Sequence, residues 1–399
     1  MNEKQNQTPT KRLEVVDALR GFALLAIVLL HNLEHYNIFH YPEWQPEWLS
    51  ALDTHVWAAT FFMLAGKAFA TFSLLFGFSF FIQMDNQARL GNDFRARFAW
   101  RLLMLLLFAQ LHALFYNGDI LLLYAVCGFL LIPVAKLPNK VVLLIAVVLL
   151  LQPFDCYRMV HALLDPSYQT SVGNLFMEYS DRCQPVTQNG GWLEVLASNI
   201  ADGQLYGNVW QIENGRLFQI PGLFMLGMLL GRMRFFVKSE RSVRFWRRSL
   251  VGFLILFAVI LTGKAWLAPV VSSASGSFQV AYGVAVGTYQ SFCLMAVLVS
   301  VFVLCWFRVE RGYRFQRALI PYGKMSLTNY ITQSIIGCTV YYGYGLGLWN
   351  KTGATLCLLI GLVIFFAQLS FSRYWLARHK QGPLEYLWKR LTWIKLGSK

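Results

Sequence analysis

Arg20 and His31 stand eleven positions apart in DALRGFALLAIVLLHNLEHY, an interval of three helical turns plus roughly 20° at about 100° per residue. The two side chains therefore share one face of one apolar helix. Asp17 falls on that face one turn before Arg20, and His35 one turn after His31, with Leu24, Ile27 and Val28 between. Ionisable groups inside a membrane span are costly and mark function by default. An arginine at one edge suits a charged donor, and a histidine roughly 16 Å deeper, at 1.5 Å rise per residue, suits proton transfer. The plainer readings are an arginine that snorkels to headgroups and a buried imidazole bonded between helices.

The spacing recurs. Arg101 and His112 are again eleven apart in RLLMLLLFAQLH, and Asp119 in YNGDILLLY stands where a carboxylate either orients a histidine or caps a helix. HNLEH at 31–35 also fits H-x-x-E-H, the inverted zinc-peptidase pattern, although such a site needs a third protein ligand. Downstream, GKMSLTNYITQS repeats Ser326, Asn329 or Tyr330, and Gln333 at helical spacing, a polar stripe that joins helices or lines a substrate groove.

The elements that must position these groups are membrane helices. Of 399 residues 56% are hydrophobic and 14% charged, and the mean hydropathy of +0.46 lies far from that of soluble domains. Apolar runs at 18–38, 56–82, 98–115, 119–135, 140–160, 216–235, 246–267, 280–307, 319–346 and 353–376 predict an all-α polytopic membrane protein of about ten spans. A net charge of +15 would suit nucleic acid, but its distribution does not. Basic residues, from Lys4, Lys11 and Arg12 through the run Arg232 to Arg248 to the tail after Arg373, alternate with loop parity, while the intervening loops are acidic or bare. Both termini are thus expected in the cytoplasm.

One outward loop, about 163–215, interrupts the spans and reads as a lid, a binding surface or a variable insertion. The expected organisation is a leader at 1–17, one transmembrane domain at 18–378 and an amphipathic cytoplasmic tail at 379–399, whose GPLEYLWKRLTW suits the inner leaflet. The first span is expected to be a retained signal anchor. Cysteine spacing argues against structural zinc, and Cys156 and Cys183 bracket the outward loop where a disulfide is permitted.

Four segments, RLEVVDALRGFALLAIVLL, GDILLLYA, GKMSLTNYITQS and GPLEYLWKRLT, in this order, resemble the YeiB-like bacterial membrane family, domain of unknown function 418. That family looks related to transmembrane acyltransferases, including heparan-α-glucosaminide N-acetyltransferase and the acyltransferase-3 group. The latter is marked by an arginine and a histidine separated by ten residues in the first helix, which Arg20 and His31 fit. YeiB-like sequences often carry asparagine at the position of His31, so the chain departs there toward the acetylase pattern.

The resemblance implies an enzyme of the bacterial inner membrane that moves an acyl group, acetyl above all, from cytoplasmic acyl-CoA to an envelope glycan or lipid hydroxyl or amine. Arg20 and Arg101 would attract the donor phosphates and Asp17 would orient Arg20. His31 or His112 would be the general base, Asp119 would orient His112, and Asn329 or Gln333 would bind the thioester carbonyl or the acceptor. The expected partners are the acyl donor, the acceptor and membrane lipids, with no metal or nucleic acid and a homodimer left open. A solute or lipid transporter is the second reading, and a zinc-dependent membrane hydrolase on HNLEH the third.

Overall fold

The computed structural model describes residues 12–165 and 167–394, all of whose regular elements are helical. Lys4, Lys11 and the rest of the leader before Arg12, together with Pro166 and residues 395–399, lie outside the described residues. Helix α1 (Glu14–Leu33) is followed by α2 (Glu47–Leu64), α3 (Lys67–Arg89), α4 (Arg95–Ala113), the short α5 (Leu121–Gly128) and α6 (Leu131–Val134), and α7 (Asn139–Leu150). A 44° bend separates α7 from α8 (Pro153–Leu164). Then come α9 (Asn174–Asn189), α10 (Trp192–Ser198) and α11 (Gln204–Glu213), the last two joined by a π-helical turn. The chain continues through α12 (Arg216–Arg232), α13 (Glu240–Ser273), α14 (Gly276–Arg308), α15 (Arg314–Ala318), α16 (Ile320–Lys324), α17 (Ser326–Tyr341), α18 (Ala354–Leu376) and α19 (Pro383–Thr392).

By length and apolarity four stretches among the described residues qualify as membrane spans: α2 with α3, α13, α14 and α18, or five when the bent pair α7 and α8 counts as one. The ten runs of the sequence are thus not ten uniform rods. The stretch at 319–346 breaks into α16 and α17, and α17 has 16 residues, about 24 Å at 1.5 Å per residue against a hydrocarbon core of about 30 Å. Interrupted helices at membrane depth are tolerated where their ends are buried in protein or line a cavity.

The hub is α1, packed against α2, α3 and α14 to α18. Ala18, Leu19, Leu24 and Val28 on it are fully enclosed. Close approach is set by glycine. A Cβ on Gly77 would stand 1.8 Å from the Phe224 carbonyl oxygen, and one on Gly227 1.8 Å from that of Leu74, so α3 and α12 touch backbone to backbone. Gly21 and Gly323 do the same where α1 crosses α16.

Three features left open by the sequence take a definite form. The stretch at 163–215 is not a loop but a helical insertion, α9 to α11, and its Val195, Tyr206 and Cys183 are buried. Cys156 and Cys183 carry free thiols rather than a disulfide, the Cys156 Sγ lying 3.5 Å from the Tyr289 hydroxyl. The tail does not merely lie on a leaflet, because α19 folds back on α4, the Trp388 Nε1 donating to the Arg101 carbonyl at 3.1 Å and Trp100 Nε1 to that of Leu391 at 3.0 Å.

Candidate active site

Asp17 is 1% exposed and accepts from two guanidinium groups, Arg12 Nε at 2.6 Å and Arg20 Nη1 at 2.9 Å. The pairing offsets the desolvation of a buried carboxylate and fixes both cations. Arg20 also donates to the Ser79 hydroxyl on α3. These arginines line a cavity of about 430 Å3, together with Arg101, Lys324 and Lys389. Arg101 lies 3.5 Å from the centroid of the Trp388 ring of α19. The acid on this wall, Glu385, is engaged: it accepts from the backbone N–H of Leu327 at 2.7 Å and of Thr328 at 3.1 Å, which caps α17. Five cations thus face one space, of which Arg12 and Arg20 share the Asp17 carboxylate.

A second, smaller cavity of about 90 Å3 lies beyond, lined by His31, Glu34, Tyr116, Gln211, Arg216 and Tyr330 among others. His31 Nδ1 is 3.2 Å from Glu34 Oε2 and 3.2 Å from the Tyr116 hydroxyl. The helical insertion forms the roof, with Phe176 from α9 and Tyr206 and Trp210 from α11. Tyr330 on α17 belongs to the walls of both cavities. Its hydroxyl is 3.4 Å from Asp119 Oδ1 and accepts from the Ile120 N–H at 3.4 Å.

Behind that shared wall, His112 is 1% exposed and its Nδ1 sits 2.8 Å from Asp119 Oδ1, with no partner for Nε2. Asp119 Oδ2 meanwhile accepts from the N–H groups of Leu121 at 3.1 Å and Leu122 at 3.4 Å. The carboxylate therefore both orients the histidine and caps α5. His112 lies on neither cavity wall, and its ring centroid is 5.3 Å from that of Tyr330.

The structure brings Arg20 and Arg101 to one cavity, His31 to the other, and His112 with Asp119 to the partition. It leaves two candidates apart. Asn329 donates to the Tyr322 carbonyl and the Ser372 hydroxyl, both at 3.0 Å, and joins α16, α17 and α18. Gln333 is fully buried with neither amide atom bonded, and is on neither wall.

His35 does not share the His31 face. α1 ends at Leu33, and His35, Tyr36, Asn37 and Phe39 all take positive φ, 46°, 52°, 80° and 50°. That left-handed run turns the His35 ring away, to Thr352 at 2.9 Å and Cys357 at 3.1 Å. The two histidines of HNLEH thus face different partners, and among the described residues no three His, Cys, Asp or Glu side chains converge as a metal-binding group.

Several site residues escape sequence reasoning. Arg12 is indistinguishable from an ordinary cytoplasmic-edge cation, Tyr116 follows the Arg101 helix without a pattern of its own, and Arg216 looks like the end of a loop. The Tyr330 position is visible in the polar stripe, but its place in two walls is not.

Residues 12–174 match the family model described as heparan-alpha-glucosaminide N-acetyltransferase, catalytic, and residues 230–395 the model described as protein of unknown function (DUF418). The first match spans Arg20, His31, Arg101, His112 and Asp119, the second Tyr330 and α19. Among curated proteins, "Uncharacterized protein YxaH" of Bacillus subtilis is 27% identical, over 99% of this chain and 97% of that one. "Uncharacterized protein YeiB" of Escherichia coli is 27% identical over 96% of each chain. "Uncharacterized 39.9 kDa protein in amylase 3'region" of Bacillus acidopullulyticus is 24% identical, over 96% of this chain and 94% of that one. No solved structure matches the chain.

Proposed function

Since the chain belongs to the YeiB-like DUF418 family and carries an amino-terminal region related to an N-acetyltransferase catalytic domain, we propose that it transfers an acyl group, acetyl above all, from acyl-CoA to an acceptor hydroxyl or amine across a membrane. The observation that carries the reading is the pair of cavities parted by Tyr330, one basic and one holding a histidine. In this reading the cation-rich cavity takes the phosphates of the donor, with Arg12, Arg20, Arg101, Lys324 and Lys389 as their partners. The acyl thioester is presented at Tyr330, and the acceptor enters under the roof formed by α9 and α11.

His31 is the histidine on a cavity wall, so it is the base proposed for the acceptor. The acceptor oxygen or nitrogen gives its proton to the imidazole, its lone pair forms the new bond to the acyl carbon, and the C–S bond breaks. The proton then passes to the CoA thiolate, which leaves as the thiol. Glu34 orients the ring and stabilises the imidazolium. His112 and Asp119 hold the partition and the Tyr330 hydroxyl rather than meeting the acceptor.

The topology proposed with it has ten spans, some broken, both termini in the cytoplasm, the basic cavity inward and the roofed one outward, in the bacterial inner membrane. The test is incubation of the purified, lipid-reconstituted protein with labelled acetyl-CoA and envelope extract, comparing wild type with His31→Ala, Arg20→Ala and His112→Ala. The expected result is a labelled product made by wild type and lost with His31→Ala. Solute flux in vesicles with no acyl product under any condition would replace the reading with transport.

A further inference from the structure

Arg216 opens α12 directly after Gly215, whose φ of 70° turns the chain out of α11. Its guanidinium lies between two aromatic rings, 4.2 Å from the Phe69 centroid and 4.5 Å from that of Trp210, on the wall of the cavity that holds His31. The rings stabilise the cation through their faces but accept none of its five N–H groups. Among the described residues no carboxylate lies within 4.0 Å of it and no oxygen takes a hydrogen bond from it. The acid on the same wall, Glu34, is engaged with His31 at 3.2 Å.

Membrane orientation does not explain this cation. The inward end of α12 carries Arg232 and Arg234, whereas Arg216 stands at the other end, beside the acid-rich insertion. Arg216 is half-buried on the cavity wall, a cation taken partly out of water is retained when something pairs with it, and the positive end of the α12 backbone dipole adds to the same field. A second unpaired group is adjacent. Gln211 is 2% exposed and spends its Nε2 on the Asp119 carbonyl at 2.9 Å, while its Oε1 has no partner. The cavity thus offers a site for an oxyanion and, beside it, an acceptor for an O–H or N–H. At about 90 Å3 it holds several waters, since one needs roughly 10–15 Å3, which suits a charged group with its neighbouring carbons while the rest of a larger molecule extends outward.

We propose that Arg216 recognises an anionic substituent, a phosphate ester or a carboxylate, on the acceptor that is acylated, with Gln211 Oε1 taking the hydrogen of a neighbouring hydroxyl or amine. The inference rests on the acyl-transfer reading for calling the occupant an acceptor. A neutral polyol would leave the guanidinium without an ion-pair partner within 4.0 Å among the described residues.

The probes are a matched series, glycerol, glycerol 3-phosphate, glycerate and inorganic phosphate, titrated into the reconstituted full chain and read by thermal shift and calorimetry. Glycerol 3-phosphate or glycerate is expected to bind at least tenfold tighter than glycerol, and the phosphate and carboxylate arms show which oxyanion is preferred. Arg216→Gln should erase that difference and Arg216→Lys retain part of it. Equal binding of glycerol and its anionic derivatives by wild type, or anion binding unchanged in Arg216→Gln, would overturn the proposal. So would inorganic phosphate binding as tightly as the esters, which would make Arg216 a free-anion site. If Arg216→Gln does not fold, the wild-type series and Arg216→Lys decide. A parallel labelled acetyl-CoA assay separates the two claims. Arg216-dependent anion binding with no acyl product retains the anion site and removes the transferase. Transfer to an anionic acceptor at an unchanged rate in Arg216→Gln does the reverse.

Discussion

Two histidines answer the eleven-residue spacing, and their surroundings give them different work. His31 keeps one ring nitrogen on Glu34 and Tyr116 and lies open to a cavity; His112 is sealed against Asp119. Removing a general base typically lowers a rate by about 10²–10⁴-fold. His31→Ala is therefore expected to cut acyl transfer by roughly that factor, with donor binding, followed by equilibrium dialysis of labelled acetyl-CoA, left within about twofold. Loss of donor binding in that variant would place His31 with the donor instead. Arg20 and His31 were legible in the sequence because helical periodicity alone puts them on one face. Tyr116 and Arg216 were not, since they meet His31 and Phe69 across elements distant in the chain, and pairing at a distance leaves no periodic trace; Arg12 precedes α1 and meets Asp17 from outside the helical register. His35 was misplaced for a local reason: α1 stops at Leu33, and the run of positive φ that follows carries no glycine to announce it. Each non-glycine residue in the left-handed region is held at a cost of order 1–3 kcal/mol, which the full burial of His35 and Tyr36 sustains.

At the scale of elements, the α3–α12 contact sets the frame on which Phe69 and Arg216 are carried. Gly77 and Gly227 leave no room for a side chain, whereas a Cβ on Gly252 of α13 would meet nothing within 4 Å. Gly77→Leu or Gly227→Leu should therefore abolish monodisperse protein in size-exclusion chromatography, by overpacking that exceeds the usual 1–3 kcal/mol because the obstacle is backbone. Gly252→Leu should elute as wild type. The insertion α9 to α11 makes a prediction of its own. Burial pushes the Cys183 thiol up to about 12, so its folded-state thiolate forms only as pH rises toward that value, and alkylation proceeds through the thiolate. Iodoacetamide at pH 8 should leave Cys183 unmodified until the protein is denatured, as read by peptide mass spectrometry, and mobility should be the same with and without reductant. Apolar runs made these elements visible as helices, but they showed neither that α17 is cut short nor that α19 closes a cavity, because hydropathy measures affinity for lipid and is silent on breaks and back-folding.

For the whole molecule, the alternation of basic and acidic segments and the two cavities support the proposed topology, in which the cation-rich space faces the cytoplasm and the roofed space faces outward. An impermeant maleimide should then label a cysteine placed at Asp202, on the insertion, from outside intact spheroplasts, and one placed at Arg244 only after lysis. The converse pattern would invert the orientation. This arrangement has an electrical consequence. With water in both cavities of the proposed topology, the bulk potentials would reach inward and the voltage across the bilayer would fall over the partition at Tyr330 rather than over the full hydrocarbon thickness. A charge crossing there gains about 2.3 kcal/mol per 100 mV within a few ångströms, and the resting voltage itself would act on any proton released at the partition. The aromatic ring is then an insulator as well as a wall. Vesicles bearing Tyr330→Ala should dissipate an imposed proton gradient, read with an entrapped pH dye, while those bearing Tyr330→Phe should hold it.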